Sequence, residues 1–251
     1  MIFNVISIFP EMFESITNYG VTSRAFTNKI CYLNFNNPRD FTTDPYKRVD
    51  DKPFGGGPGV VMKVEPLELA INEATLQQNS FGVKKPLRIY LSPQGNLVNQ
   101  SVVNQLLDEE GIIFVCGRYE GVDERFVDRN IDLELSMGDL VVSGGELPAM
   151  MLIDAIMRQI PGVLNDNDSA KLDSFMDGLL DYPHYTLPRN YEGDKVPDVL
   201  LSGNHKQIEL WRLQMSLWRT YTRRPELLQS RILTKIESGL LNQMLEVDNK
   251  K

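Results

Sequence analysis

The sequence predicts an α/β fold built on a mainly parallel sheet. Short β-branched and aromatic runs bounded by glycines are typical of buried strands, and three of them lead directly into glycine-bearing loops. Segments with helical spacing, residues 64–77 and 97–107, alternate with the strand-like runs, as in parallel α/β sheets. Open α/β sheets bind ligands at the carboxyl ends of their strands. We therefore expect a pocket made from the backbone of these loops.

The first quarter of the chain contains two predicted strands and a long loop. Residues 2–9 form the first strand, and Pro10 suits the start of a helix that runs to about residue 19. Residues 30–35 form the second strand. The segment 36–59 is rich in Asn, Asp, Pro and Gly, and is either a functional loop or a surface connection. Its glycines match neither the P-loop nor the dinucleotide-binding pattern.

Three further strands precede the glycine-bearing loops. Residues 87–91 lead into Ser92-Pro93-Gln94-Gly95, and residues 112–116 lead into Gly117-Arg118-Tyr119-Glu120-Gly121. Residues 131–136 open into a third loop that ends at Pro148. We expect the loops after 112–116 and 131–136 to lie at the ends of adjacent strands. Residues 149–158 then predict a mostly buried helix, whose methionines fill the core.

The composition indicates a globular protein of a reducing compartment. The chain has 251 residues, of which 42% are hydrophobic and 24% charged. No apolar run is long enough for a membrane span, and the first residues lack the pattern of a signal peptide. Two histidines and two cysteines, Cys31 and Cys116, lie too far apart for a zinc motif. We therefore expect a cytoplasmic protein with buried thiols and no membrane partner.

The C-terminal third predicts a linker followed by helices. Residues 165–174 lack an apolar period and resemble an exposed linker. Asn204 with Gln207, and Thr234 with Glu237, predict helix-starting caps. The first of these helices carries three arginines on one side, Arg212, Arg219 and Arg223. The opposite side is apolar and comprises Leu210, Trp211, Leu213, Leu217, Trp218 and Tyr221. That arginine stripe is either a solvated face or a ridge that contacts phosphates.

Charge and motifs exclude some functions and leave others open. The net charge of −8 alone argues against a nucleic-acid binder, but residues 205–235 hold seven Lys/Arg against two acids. Ser143 lacks the nucleophile-elbow pattern of hydrolases. Paired carboxylates offer acid–base chemistry or are solvated surface groups: Asp50, Asp51, Asp123, Glu124, Asp128. The residues alone indicate an α/β ligand-binding domain with a basic helical appendage.

The chain resembles the TrmD family of bacterial tRNA (guanine-N1)-methyltransferases, which belongs to the SPOUT class. The resemblance covers nearly the whole chain in order. Its matching segments are residues 8–13, 38–41, 49–51, 55–59, 90–95, 116–125, 143–148, 173–175, 180–186 and 200–205. The segment 165–172 and the C-terminal tail depart from the family pattern, but neither departure falls on a residue given a role below.

The resemblance implies a specific fold and assembly. It implies a SPOUT-type, mainly parallel sheet with a C-terminal trefoil knot, plus a small helical C-terminal domain. The expected domains are a methyltransferase domain at 1–164, a flexible linker or lid at 165–177, and a tRNA-binding domain at 178–251. It also implies a homodimer in which each active site takes residues from both subunits, with the anticodon branch of tRNA as partner.

By the same resemblance, the three loops hold S-adenosylmethionine. Glycine suits this task because the backbone must approach the adenine and ribose closely. Glu120 is also a candidate ligand for Mg2+. The implied cofactor-binding residues are Tyr90, Leu91, Ser92, Pro93, Gly95, Gly117, Tyr119, Glu120, Gly121, Ser136, Met137, Gly138, Asp139, Leu140, Val141, Val142, Gly144, Gly145 and Pro148.

The implied reaction is methyl transfer to N1 of the guanosine immediately 3′ of the anticodon, at position 37. Asp173 is the expected general base and Arg158 the cation that stabilises charge developing on O6. The expected RNA-binding residues are Asp50, Arg212, Arg219, Arg223 and Arg224. Two alternatives stay open: an RNA-binding module without catalysis, and a methyltransferase of the same class that modifies another RNA position.

Overall fold

A five-stranded parallel sheet forms the centre of the first of two units. The computed structural model describes residues 1–165, 170 and 172–248, and the chain divides into Met1–Asn167 and Asp168–Lys251. The first unit contains strands β1 (Ile2–Ile6), β2 (Tyr32–Asn36), β3 (Asp50–Asp51), β4 (Val61–Met62), β5 (Leu87–Leu97), β6 (Gly111–Cys116) and β7 (Leu133–Ser136). The sheet has the order β2-β1-β6-β5-β7, all parallel, while β3 and β4 form a separate antiparallel pair.

Helices cover both faces of this sheet, as the run of buried residues in β1 and β6 requires. They are α1 (Glu14–Thr17), α2 (Gly20–Thr27), α3 (Val64–Ser80), α4 (Gln100–Leu106), α5 (Glu124–Asn130) and α6 (Glu146–Met157). Phe3 and Phe114 contribute to one core, with α2, α4 and α6. Ile6 and Ile113 contribute to the other, with α3 and α5. Alternate side chains of a strand thus point to opposite faces.

The sequence located these elements but misplaced several of their ends. β1 stops at Ile6 rather than at residue 9, and Pro10–Phe13 is a 3-10 turn that precedes the short α1. The helix predicted over 97–107 begins only at Gln100, because the Asn99 side chain accepts a hydrogen bond from the Val102 amide at 3.1 Å. Residues 149–158 form a helix as predicted, although α6 starts earlier and ends at Met157.

The sequence predicts that the strands before the second and third glycine-bearing loops are adjacent, and this prediction is wrong. β5 lies between β6 and β7, and it pairs with β7 twice. Ile89–Leu91 pair with Leu133–Leu135, after which Asn96 also faces Leu135. Residues 92–95 therefore bulge out of the ladder at the carboxyl edge. A Cβ on Gly95 would lie 2.4 Å from backbone atoms of Glu134 and Leu135, so the bulge requires glycine there.

The second unit is mainly helical, with one hairpin that the sequence did not predict. Asn204 accepts from the Gln207 amide at 3.3 Å. Thr234 and Glu237 cap each other, which confirms the capping box. The elements are β8 (Asn190–Tyr191), β9 (Asp194–Lys195), α7 (Asp198–Leu201), α8 (His205–Arg223), α9 (Pro225–Gln229) and α10 (Lys235–Asp248). Across the described part of both units, no helix combines the length and apolarity that a membrane crossing needs.

The buried side of α8 differs from the predicted one. Ser216, Leu217 and Thr220 are buried, whereas Leu210 and Tyr221, placed by the sequence on the apolar side, are exposed. Arg212 on the supposed solvent side is half-buried. The prediction is confirmed at Leu217 and wrong at Leu210 and Tyr221. Hydrophobicity alone set the predicted face, whereas the polar residues Ser216 and Thr220 are also buried there. Of the predicted linker 165–174, residues 166–169 and 171 lie outside the described residues, and Ala170 is buried rather than exposed.

Candidate active site

A cleft of about 440 Å³ opens at the carboxyl edge of the sheet in the first unit. The three glycine-bearing segments after β5, β6 and β7 form its walls, since the carboxyl ends of parallel strands share one edge. Its lining comprises residues 90–94, 117–122, 134–137 and 140–145, together with Glu124, Val127 and Pro148.

Most of the cofactor-binding residues expected from the sequence meet in this cleft. All of them line it except Gly95, Gly138 and Asp139. Gly95 instead packs on the backbone of β7. Gly138 has φ +121° and its amide donates to the Ser136 hydroxyl at 3.2 Å, so it forms the turn that aims the third loop. Asp139 is exposed beside that turn.

Bare backbone at three glycines gives the cleft its shape. A Cβ on Gly145 would lie 2.7 Å from the Cα of Cys116, and one on Gly117 would lie 2.8 Å from the Tyr90 hydroxyl. A Cβ on Gly144 would collide with the Arg118 side chain at 2.2 Å. The Gly145 amide also donates to the Gly117 carbonyl at 2.9 Å, which joins the second loop to the third. A side chain at these positions would collide with neighbouring protein atoms, so the close packing of the loops that wall the cleft requires glycine.

Tyr90 places an uncharged phenol at the wall of the cleft. Burial raises the pKa of Tyr90 to about 12, and the neighbouring carboxylate of Glu134 adds to the effect. The phenol therefore keeps its proton at neutral pH. The wall consequently offers a hydrogen-bonding group without a charge, which suits a ligand that already carries charges of its own.

A buried ion pair that the sequence reasoning missed supports the rim of the cleft. Glu146, fully buried at the start of α6, accepts from Arg118 Nε at 2.9 Å and from the Ser7 hydroxyl at 2.7 Å. Arg118 also donates to the Ser143 carbonyl at 3.1 Å, and its guanidinium lies 4.7 Å from the centroid of the Phe9 ring. A glutamate directly after two glycines and at the start of a mostly apolar helix was the available signal.

The glycine-rich segment after Asp50 borders the same cleft. The Glu120 amide donates to the Val60 carbonyl, and the Met62 amide to the Gly121 carbonyl, both at 3.0 Å. Gly59 has φ +74°, and a Cβ there would lie 2.4 Å from Glu120 Oε1. This segment therefore lies against the second loop, which favours a functional loop over a mere connection. Asp50 itself is half-buried in the β3–β4 ladder and does not line the cleft.

The paired carboxylates found in the sequence serve local structure. A hydrogen bond from the Lys52 amide, followed by the charge of Lys63, lowers the pKa of Asp51. Side-chain hydrogen bonds from Arg125 hold the pKa of Asp123 below its ordinary value, and Asp123 also caps α5. Both groups are thus fixed as anions. This argues against their use as acid–base pairs.

The predicted catalytic residues belong to different units of the chain. Arg158 is the C-cap of α6 and its amide donates to the Asp154 carbonyl at 3.0 Å. Asp173 belongs to the second unit, where it is half-buried and lines a pocket of about 330 Å³. Asp181, Tyr182 and residues of α8, including Arg212, line the same pocket.

The five expected RNA-binding residues occupy varied settings. Arg223 and Arg224 are exposed, and Arg224 pairs with Glu226. Arg219 is half-buried, as is Arg212 in the pocket described above. The stripe is therefore not a uniform solvent-facing ridge.

A glycine-walled cleft at the carboxyl edge of a parallel sheet is typical of α/β proteins that bind a small ligand. Sequence comparison identifies the family to which the chain belongs. Residues 1–230 match the family described as tRNA (Guanine-1)-methyltransferase TrmD, and the chain belongs to that family.

Similar proteins over nearly the full chain carry the same description. Proteins named tRNA (guanine-N(1)-)-methyltransferase occur in Chromobacterium violaceum (55% identity over 95% of this chain and 93% of that protein) and Nitrosospira multiformis (56%, over 95% and 91%). A further one in Pseudomonas fluorescens is 57% identical over 96% of this chain and 95% of its own length. The chain is thus an enzyme of a methyltransferase family.

Proposed function

We propose that this protein transfers a methyl group from S-adenosylmethionine to N1 of guanosine 37 in tRNA, the nucleotide immediately 3′ of the anticodon. Membership of the TrmD family over residues 1–230 supports the class of reaction. The observation that carries the proposal is the glycine-walled cleft, because it offers a donor-sized site at the edge of the sheet where such folds bind ligands.

The cleft fits the methyl donor in size and in chemistry. Its volume of about 440 Å³ lies within the range of roughly 300–1,000 Å³ that small-molecule sites occupy. Gly117, Gly144 and Gly145 line the cleft, and glycine allows the backbone to approach the adenine and ribose closely. Tyr90 adds a neutral phenol. When bound, S-adenosylmethionine supplies a methyl group activated by a positively charged sulfur.

The remaining chemistry is a proton transfer. Guanine N1 carries a proton at neutral pH, so its lone pair becomes nucleophilic only as that proton leaves. We assign the proton to the carboxylate of Asp173, and the stabilisation of negative charge on O6 to the guanidinium of Arg158. Asp173 borders a pocket rather than open solvent, which supports its contact with a base inserted from the RNA.

The active form is proposed to be a homodimer that shares its sites between subunits. Large apolar side chains lie exposed on the first unit near the third loop: Leu140, Val141, Leu147 and Met151. An exposed apolar surface of this kind is typical of an interface, and a two-fold dimer uses one patch on both subunits. The RNA partner is the anticodon branch, contacted through Arg219, Arg223, Arg224 and the loop after Asp50.

We also propose the SPOUT-type knot, and the path of the third loop supports it. From the end of β7 the chain must pass β5 to reach β6, where the Gly145 amide meets the Gly117 carbonyl. The bulge at residues 92–95 stands in that path. We propose that the third loop passes through the loop formed by residues 92–95 and that this threading forms the trefoil. The domain roles proposed are catalysis by 1–164, substrate closure by 165–177 and RNA binding by 178–251.

Among the described residues, Glu120 is the proposed ligand for Mg2+. They contain no group of three or more His, Cys, Asp or Glu side chains with metal-binding geometry, and Glu120 is a single exposed carboxylate. Hard cations such as Mg2+ take several oxygen ligands. We therefore assign no step of the reaction to a metal held by these residues.

Incubation of the protein with labelled S-adenosylmethionine and unmodified tRNA, followed by nucleoside identification, tests the proposal. We expect N1-methylguanosine at position 37. A methylated nucleotide elsewhere would place the enzyme among relatives with another target. Calorimetry without RNA separates a third outcome, because a module that has lost catalysis would not bind the methyl donor.

Asp173→Ala tests the assignment of the base. Turnover should be abolished while the affinity for S-adenosylmethionine stays nearly unchanged, because the cleft lies in the first unit and Asp173 in the second. Asp177→Asn is the matched control, since it changes a charge in the same segment but keeps an oxygen for the Leu179 amide. Normal turnover of Asp173→Ala would remove Asp173 from the mechanism.

A further inference from the structure

Three arginines of the second unit attach the segment 172–182, which carries Asp173, to the helices. The guanidinium of Arg212 lies 4.8 Å from the centroid of the Tyr182 ring, and that of Arg224 lies 5.8 Å from the Phe175 ring. Arg231 donates to the backbone carbonyl of Asp177 and, at 2.5 Å, to Glu237. The segment is thus held at three points by arginine side chains.

Arg212 is the member of this group that faces the pocket of Asp173. It is half-buried, and it lines the pocket of about 330 Å³ together with Asp173, Asp181 and Tyr182. Its Nε atom is buried and has no hydrogen-bond partner among the described residues. A cation that contacts RNA phosphates needs its donors in solvent, whereas the guanidinium of Arg212 lies over an aromatic ring.

The same side of α8 holds the backbone of the segment. Eight residues after Arg212, the Thr220 hydroxyl accepts from the Leu180 amide at 2.8 Å. Within the segment, the Asp181 amide donates to the Ser174 hydroxyl at 2.9 Å. Because residues 212 and 220 lie on one face of a helix, both contacts act on the same stretch of chain.

We propose that Arg212 is a positioning residue: its stacking on Tyr182 fixes the segment so that the Asp173 carboxylate is held in one place relative to α8. This inference rests on the proposed function, in which Asp173 removes the N1 proton. Misplacement of a catalytic group by about 1 Å costs on the order of 100-fold in rate. Loss of the stack should therefore lower the rate of the chemical step without weakening RNA binding.

The test compares Arg212→Met with Arg219→Met, one residue of the same helix that the proposed function gives to RNA. For Arg212→Met we expect kcat to fall by roughly 10- to 100-fold, with the KM for tRNA and the salt dependence of binding within about two-fold of the parent. For Arg219→Met we expect the reverse, a raised KM and a salt slope reduced by about one. Thermal melting of each variant reports whether it is folded.

Tyr182 supplies a second measurement that does not depend on the stability of Arg212→Met. Tyr182→Phe keeps the aromatic face and should retain kcat, whereas Tyr182→Leu should lose as much as Arg212→Met. The double variant Arg212→Met/Tyr182→Leu should lose no more than either single variant, since both remove one interaction.

Two results would overturn the inference. A raised KM with unchanged kcat in Arg212→Met would make Arg212 a phosphate contact, and unchanged values of both would give it no part in the reaction. Failure of the proposed function itself is distinct, because the parent protein would then methylate no guanosine in tRNA at all.

Discussion

Replacement of Glu146 should destabilise the first unit by an amount set by its burial. Glu146 is fully buried, and it accepts from Arg118 at 2.9 Å and from Ser7 at 2.7 Å. Removal of one partner from a buried ion pair costs about 3–5 kcal/mol. The Arg118 side chain is 14% exposed and keeps the Ser143 carbonyl, so the lower end applies to Glu146→Leu. Glu146→Gln keeps a neutral acceptor and should cost about 1–2 kcal/mol.

Chemical denaturation at neutral pH measures these differences, and thermal melting checks them. One kcal/mol corresponds to about 2–4 °C in a domain of this size, so Glu146→Leu should melt roughly 6–12 °C lower. The exposed Glu110→Gln is the matched control and should change stability by less than about 0.5 kcal/mol. Because Arg118 holds the third loop, calorimetry should also show weaker binding of S-adenosylmethionine.

The double variant Arg118→Met/Glu146→Leu tests whether the loss of stability comes from an unpaired buried charge. If the loss comes from an uncompensated charge, replacement of both partners by apolar side chains should recover much of the stability of the single Glu146→Leu variant. Equal stability of Glu146→Leu and the parent would refute the reasoning. So would a double variant as unstable as the sum of its two single variants.

Three further outcomes follow from the site. Gly145→Ala should cost about 1–3 kcal/mol and weaken binding of the methyl donor, because its Cβ would lie 2.7 Å from a backbone atom of Cys116. Burial raises the pKa of Tyr90 to about 12 in the folded state, above its ordinary value of about 10. The free energy of unfolding should therefore be unaffected by this group below pH 10 and should fall by about 2–3 kcal/mol as the pH rises to 12. Denaturation curves of Tyr90→Phe should lack this loss. Arg219→Ala with Arg223→Ala should weaken tRNA binding and reduce its salt slope by about two.

Each of these outcomes has a contrary result. Donor binding at the parental affinity in Gly145→Ala would show that the wall tolerates a methyl group. Identical pH profiles of Tyr90→Phe and the parent between pH 10 and 12 would show that the phenol is not desolvated in the folded state. An unchanged salt slope in the double arginine variant would show that Arg219 and Arg223 are solvated and do not contact phosphates.

Local chemistry explains what the sequence could predict. A β-branched run such as Ile112–Cys116 requires burial on both faces, and a glycine run after it requires a turn, so the strands and the loops after them followed from neighbouring residues. The capping box of Thr234 and Glu237 was equally local. Because all parallel strands end at one edge, the loops had to meet there even though their strand order was unknown.

Strand order and the paired side chains depend on distant residues, which no local pattern records. β5 inserts between β6 and β7, and Pro93 with Gly95 suggested that its strand had ended at Leu91. The pairing resumes at Asn96 because β7 supplies a partner, which a proline and a glycine on the chain itself cannot reveal. The ion pair of Arg118 with Glu146 joins residues that are distant in sequence. The residues around Arg118 do not indicate that Glu146 is its partner, and those around Glu146 do not indicate Arg118.

The arginines of α8 show the same limit at the level of function. Helical spacing placed Arg212 with Arg219 and Arg223 on one face and suggested a common task. That spacing fixes the direction of a side chain from the helix axis but says nothing of which other segment packs against it. Here Tyr182 lies under the Arg212 guanidinium, and the cation is half-buried as a result. Because the Tyr182 ring already covers the Arg212 guanidinium, a contact with a phosphate would add little binding energy. Replacement of Arg212 should therefore change a different kinetic property from replacement of Arg219 or Arg223.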